Sequence, residues 1–374
     1  MKLSLRCIVR SILVQVLYWS GAISWARRRI AQRRCVTVLL FHRVLTAEER
    51  QNTNCLAGIV VSDSTFGHIM QYLRRYCEVL NLGTGMPDWD SGGAKPRCAV
   101  TFDDGWIDNA GAALRIAQPF GIPFTIFICP ALVGAVNPFW AEKTIGLLRR
   151  SALFNGPKRM PDSLGRTEIA LRWEQIPGPP EQRLGIVVEY LKTLTPIERH
   201  RLLADFEGSL QSDSVGAPQE CVDATMSWRD VDRLRRAGVS FGLHTQTHQI
   251  LTRIPPAEVQ KELETSRRSV EEKRGFECGF FAYPNGSWSD NVRRQVEAAG
   301  YTAAFTTDPL PWTAESDPLL IPRINISEGS VVGVTGRFSR AALEYTLFWK
   351  PWRRMQTPTA VALRPRNNAV SEAG

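Results

Sequence analysis

Three times in this chain a helical run of apolar residues stops at a glycine and a short apolar run begins directly after it. That unit limits the fold more than any other feature. Ser227 can cap a helix, with Asp230 three residues on as its capping-box partner. Val231, Leu234 and Ala237 form the inner stripe, Gly238 ends the helix, and residues 239–243 read as a strand. Residues 290–299 with Gly300 before 301–305, and residues 109–120 with Gly121 before 122–128, repeat the plan. Helices alternating with apolar strands predict an α/β protein built on parallel strands. The 374 residues, 44% of them hydrophobic, suffice for one large barrel core.

Between residues 130 and 226 the rhythm is lost. Helical fragments at 142–150, 181–194 and 196–210 are separated by breaks such as Ile176-Pro-Gly-Pro-Pro180, which predicts a helical lid inserted at about residues 137–225. No internal repeat of fixed period argues for a solenoid or propeller. The expected organisation is therefore a basic N-terminal helix over 1–35, a barrel over 36–336 and a basic aromatic segment with a disordered tail over 337–374.

Only the ends are basic. Residues 1–50 hold ten Lys/Arg against Glu48 and Glu49, and residues 337–374 hold seven against two Glu. The ends thus carry +8 and +5 of an overall +9, which leaves the body at −4. A nucleic-acid-binding body would be basic, so that class is set aside. Basic ends beside apolar stretches suit anionic lipid headgroups. Leu5, Ile8, Val9, Ile12, Leu13, Val16, Leu17 and Ile23 fall near helical spacing, and the charge-free stretch 11–26 is shorter than the ~20 residues a span needs. The expectation is an interfacial helix on the cytoplasmic face of a membrane. The alternative is an exported or periplasmic protein with a cleaved signal ending near Ala26, against which Arg27-Arg28-Arg29 argue. The aromatic and cationic run 343–354 suits either a membrane interface or docking on the core. Eight scattered cysteines without a CxxC read as reduced core residues.

In a parallel barrel, chemistry gathers where strands end, so polar residues directly after apolar runs matter most. Four such places are His42 after 36–41, Asp103-Asp104 after 99–102, His244 after 239–243 and Pro284 after 280–283. His244 and His248 flank Thr-Gln-Thr. Two imidazoles with one carboxylate, for which Asp104 is the natural third ligand, leave coordination positions open for water and substrate on zinc. A cation on Asp104 would relieve repulsion with Asp103 and leave Asp103 an available base, while Gly105 permits the tight turn. Taken singly, paired Asp before Gly is a turn or a helix cap, and HxxxH is incidental.

In order, Thr101-Phe-Asp-Asp-Gly105, His244-Thr-Gln-Thr-His248 and Phe281-Ala-Tyr-Pro-Asn-Gly286 resemble the motifs of the NodB-type polysaccharide deacetylases, carbohydrate esterase family four. The resemblance spans about residues 36–325 apart from the insertion. It implies a distorted (β/α) barrel of the NodB type, a divalent metal (Zn2+, with Co2+ or Ni2+ as alternatives) and removal of acetyl from N- or O-acetylated sugars. By motif match, Asp103 is the catalytic base and Asp104, His244 and His248 are the ligands. Trp106, Tyr283, Pro284 and Asn285 are expected to bind substrate. Trp288 is a further candidate for stacking on a sugar, and Trp140 is assigned to the core by default.

Two departures stand out. Many members carry an arginine in the third motif where this chain has Ala282, and Arg323 is the candidate to supply that cation, with a loop-bracing ion pair as the bland reading. Members also commonly carry a late histidine as general acid. The five histidines here are 42, 68, 200, 244 and 248, so none follows His248. His42 is the candidate for that acid or for holding the reaction intermediate, a buried structural histidine being the alternative. The expected substrate is an acetylated amino sugar in a bacterial surface polysaccharide or its lipid-linked oligosaccharide precursor. A deformylase or esterase of a lipid-linked sugar and a non-catalytic carbohydrate-binding relative are the alternatives.

Overall fold

The computed structural model describes residues 5–90, 93–155, 167–211 and 223–356. Its centre is a curled parallel sheet of β1 (Cys35–Phe41), β2 (Arg97–Phe102), β3 (Thr125–Ile128), β4 (Ser240–Leu243), β5 (Phe280–Ala282), β6 (Ala303–Phe305) and β7 (Ile324–Asn325). Each of β1 to β6 pairs in parallel with the next, from Val36 opposite Arg97 to Phe281 opposite Ala304. The segment entering β7 bonds to β6 at Ile321, and β7 then pairs with β1 at Leu39 and Leu40, which closes the ring. The fold is an α/β barrel.

Alternation along the strands sorts side chains into two layers, because successive residues of a strand face opposite sides. Val36, Val38, Ala99, Phe127, Ala282, Ala303 and Phe305 pack together inside the ring. Leu39, Phe41, Val100, Phe102, Phe281 and Tyr283 pack outward, against helix residues such as Phe66, Leu73, Val231 and Leu263. Continuing the inward row past the strand ends reaches His42, Asp103 and His244, which places these three at one mouth.

The N-terminal segment is two helices, α1 (Leu5–Trp19) and α2 (Ala22–Ala31), bent by 68°. The sequence reads as one helix; Gly21, at φ 80°, is where the chain turns. Ile23, Ala26 and Ile30 of α2 are buried. Trp25 meets Trp352 edge-on at 5.2 Å, and Leu343, Leu347, Phe348 and Trp352 are buried, so the C-terminal aromatic run docks on the core. Arg27, Tyr72 and Arg340 converge on the buried Glu344 carboxylate.

Outside the ring runs α3 (Asp63–Tyr76). Between β3 and β4 come α4 (Trp140–Arg150), α5 (Glu168–Gln175), α6 (Pro180–Thr193), α7 (Pro196–Gln211) and α8 (Trp228–Arg236); α9 (Pro256–Arg274) precedes β5 and α10 (Asp290–Ala298) precedes β6. Helices α4 to α7 share a core of their own, centred on Ile145, Leu148, Trp173, Val187 and Phe206. Helix α5 went unread in the sequence. Its cap is Thr167, whose side chain accepts from the Ala170 N–H, and it is only 8 residues long. The α8 capping box is formed, Val231 and Leu234 are buried, and Gly238 takes φ 86°. Residues 109–120 are not one helix: a five-residue π turn, a short α turn and a 3-10 turn lead to Gly121. Cys35, Cys55, Cys77, Cys98, Cys129 and Cys278 are buried free thiols, whereas Cys221 and the tail read as disordered lie outside the described residues.

Candidate active site

Asp103 follows the inward row of β2, but its neighbour Asp104 would by the same alternation face the helices. It does not, because Asp104 takes φ 74° and Gly105 φ 70°, a left-handed pair that turns the second carboxylate back to the mouth. Thr245 and His248 also hold positive φ, 64° and 61°. Such conformations cost non-glycine residues on the order of 1–3 kcal/mol each and persist where the surroundings enforce them. Here the enforcing groups are visible. Glu262 accepts from the Gln246 and Thr247 N–H groups at 2.9 Å each and from the Thr247 hydroxyl at 2.7 Å. The Met226 N–H donates to the Gly105 carbonyl at 2.9 Å.

The result is a cluster in which one ligand atom each of Asp104, His244 and His248 lies within 4.8 Å of the others. Asp104 Oδ1 is 3.6 Å from His244 Nε2 and 3.3 Å from His248 Nε2. His244 Nδ1 lies 2.7 Å from the Ala282 carbonyl, so its proton sits there and the Nε2 lone pair faces the cluster. Burial, opposed by the flanking acids Asp103 and Asp104, pushes His244 down to about 4, so the imidazole is neutral as a ligand must be. The donor set of two imidazoles and a carboxylate with an open side fits a divalent ion of the zinc type.

Asp103 is fully buried beside this cluster, with Oδ2 3.9 Å from His244 Nε2. Arg323, on the segment that closes the ring, donates Nη1 to Asp103 Oδ1 at 2.7 Å and Nη2 to Oδ2 at 2.8 Å. Its Nε donates to the Thr306 carbonyl at 3.0 Å, which fixes the plane of the fork. Burial would raise the Asp103 carboxyl, but the Arg323 charge outweighs it and holds the group below the usual carboxylate range. Asp103 is thus ionised and oriented at neutral pH.

A cavity of about 450 Å³ opens over these groups, lined by His42, Asp103, Asp104, His244, His248 and Asn285 together with residues of α4 and α6. Among the described residues His42 Nδ1 is buried without a hydrogen-bond partner, and burial lowers its affinity for a proton.

Three substrate-binding expectations are corrected by packing. Trp106 is fully buried: its Nε1 donates to Asp104 Oδ2 at 3.0 Å and the Arg43 guanidinium covers its ring at 4.2 Å, so no face is left for a sugar. It steadies Asp104 instead. Tyr283 belongs to the outward row of β5 and donates its hydroxyl to the Leu319 carbonyl at 2.9 Å, far from the inward row that carries Ala282. Pro284 is buried and does not line the cavity. Trp288 is likewise buried, whereas Trp140, assigned to the core by sequence, lines the cavity. His68 and His200 are exposed and take no part.

The sequence also concealed two features. Glu142, in the first turn of α4, lines the cavity and is 6% exposed. Arg43 donates to Asp108 at 2.6 Å and to Asp223 at 2.7 Å in a buried network under the site. Neither stands in a motif, although a charge directly after His42 was a readable signal.

Residues 211–304 match the family described as polysaccharide deacetylase. No curated protein matches the chain. Among solved structures, the Streptococcus pyogenes deacetylase PplD in complex with acetate is 16% identical with a TM-score of 0.48, over 78% of this chain and 92% of that one. IcaB from Ammonifex degensii is 15% identical with a TM-score of 0.47, over 79% and 93%. A de-N-acetylase from Aggregatibacter actinomycetemcomitans is 11% identical with a TM-score of 0.47, over 83% and 99%.

Proposed function

We propose that this chain, whose residues 211–304 match the polysaccharide deacetylase family, is a metal-dependent hydrolase that removes acetyl from the nitrogen of an amino sugar. The observation that carries the reading is the juxtaposition of two differently prepared carboxylates. Asp104 faces His244 and His248, while Asp103 is clamped by Arg323 and kept ionised. That division suits one acid to hold a cation and the other to move a proton.

Asp104, His244 and His248 would hold a divalent ion, which would supply Lewis acidity and lower the pKa of a bound water. Asp103 takes the proton from the attacking water, and its Arg323 fork fixes the carboxylate plane while that happens. Trp106 keeps Asp104 in place from below. Asn285 and the half-buried Trp140 line the cavity where a sugar would sit, and indole faces suit the apolar faces of pyranoses.

The substrate class we favour is a surface polysaccharide or its lipid-linked precursor, with the barrel held at the inner face of the membrane. Support comes from α1, where Val9, Ile12, Leu13, Val16 and Trp19 form an exposed apolar row, Trp19 at 81%. Arg28, Arg29, Arg33 and Arg34 are exposed nearby in sequence. Among the described residues no single helix is long and apolar enough to cross a membrane, which fits a helix lying in the interface.

The test is acetate release from N-acetylglucosamine oligomers by purified protein. Release that is abolished by a chelator and restored by Zn2+ is expected. A fully metal-loaded protein that releases acetate from neither amide nor ester substrates would overturn the reading.

A further inference from the structure

Cleaving an amide needs a second proton transfer. Once water has added to the acyl carbon, the C–N bond breaks only if its electron pair is met by a proton, because a bare amide anion is too basic to leave. Asp103, which receives the proton of the attacking water, is one partner in that exchange, and a donor to nitrogen is the other. His42 suits this poorly, since burial strips its proton at neutral pH. No histidine follows His248 in the chain.

Glu142 lines the cavity that holds the ligand cluster. Helix α4 begins over the ligand cluster: the ring of Phe139, just before it, is 4.9 Å from the His248 ring and 4.8 Å from that of Trp106. One turn on, Glu142 lines the same cavity as Asp103, Asp104 and His248. It is 6% exposed, and its carboxylate accepts from its own backbone N–H. Burial favours the protonated form of such a carboxyl. Its charged surroundings agree. Burial, with the Asp104 charge behind it and its own backbone N–H bond opposing, pushes the group up to about 7 in the metal-free protein.

We propose that Glu142, supplied by the inserted helices rather than by the barrel, is the catalytic acid that protonates the departing sugar nitrogen. The inference rests on the deacetylase reading. The water oxygen bonds to the acyl carbon and its proton goes to Asp103. The C–N bond breaks, its electron pair takes the Glu142 proton, and the free amine departs with acetic acid, which loses its remaining proton to solvent. Exchange with solvent returns a proton to Glu142 and removes one from Asp103.

The test compares leaving groups in wild type, Glu142→Gln and Glu142→Asp. N-acetylglucosamine oligomers need a proton on nitrogen; 4-nitrophenyl acetate releases a phenolate that needs none. In Glu142→Gln the ratio of amide to aryl-ester turnover is expected to fall by at least ~100-fold with bound metal unchanged, and Glu142→Asp to recover part of it. Equal loss on both substrates, with or without loss of metal, overturns the inference, as does an unchanged ratio. If metal-loaded wild type turns over neither substrate, the deacetylase reading itself fails and the inference falls with it.

Discussion

Glu142 is held at a cost, and that cost makes it visible without any substrate. Its carboxyl, raised from 4.5 to about 7 in the folded protein by burial first and Asp104 second, binds its proton more tightly than in the unfolded chain. The sign follows from linkage: the stability it contributes is complete below pH 4.5 and is lost as pH rises through about 7. Metal-free wild type should therefore lose roughly 3 kcal/mol across that window from this group alone. Glu142→Gln should lack that slope and be the more stable protein above neutrality. Urea midpoints measured against pH with chelator present decide it, and parallel curves for the two proteins would contradict the assignment.

Among secondary elements, the junction between barrel and insertion depends on Arg43, two residues after β1. Its Nε reaches Asp108 at 2.6 Å and its Nη1 reaches Asp223 at 2.7 Å, while Asp223 also takes the Thr53 hydroxyl and the Asn54 N–H. The guanidinium lies against the Trp106 ring, which in turn bonds to Asp104. Replacing Arg43 by Met leaves two buried acids facing one another, so a loss of about 3–5 kcal/mol in unfolding free energy is expected. Weaker metal binding should accompany it, because Trp106 would no longer be braced. Urea unfolding and metal titration of the variant check both; a stability within 1 kcal/mol of wild type, given the range of about 3–5 expected, would contradict the account.

The same elements explain what the sequence could and could not reveal. Helix stops at Gly238 and Gly300 and the strands behind them were readable because capping and alternation are local. His244, His248, Asp103 and Asp104 were readable because strand ends gather at one mouth. Tyr283 was misread although alternation from Ala282 already sends it outward. Trp106 and Trp140 exchanged their expected places because Trp106 is covered by Arg43 and Phe139 and Trp140 meets Arg199, partners that alternation does not name. The contact between Arg43 and Asp223 joins residues 180 positions apart, and no local pattern announces it.

For the whole molecule, the barrel carries the reacting groups, the insertion covers them and α1 exposes an apolar row to the surroundings. If that row meets a bilayer, the protein should co-sediment with vesicles containing anionic lipid, less so at high salt, and Trp19→Asp with Val16→Asp should abolish it while soluble-oligomer turnover is retained. Equal sedimentation of the double variant would remove the membrane from the account. The central claim is the division of labour between the two adjacent acids, and Asp103→Asn tests it most directly when bound metal and acetate release are measured in one sample. The account predicts metal retained at the wild-type level with release reduced by about 10²–10⁴-fold. Loss of the metal, or release that persists, would contradict it.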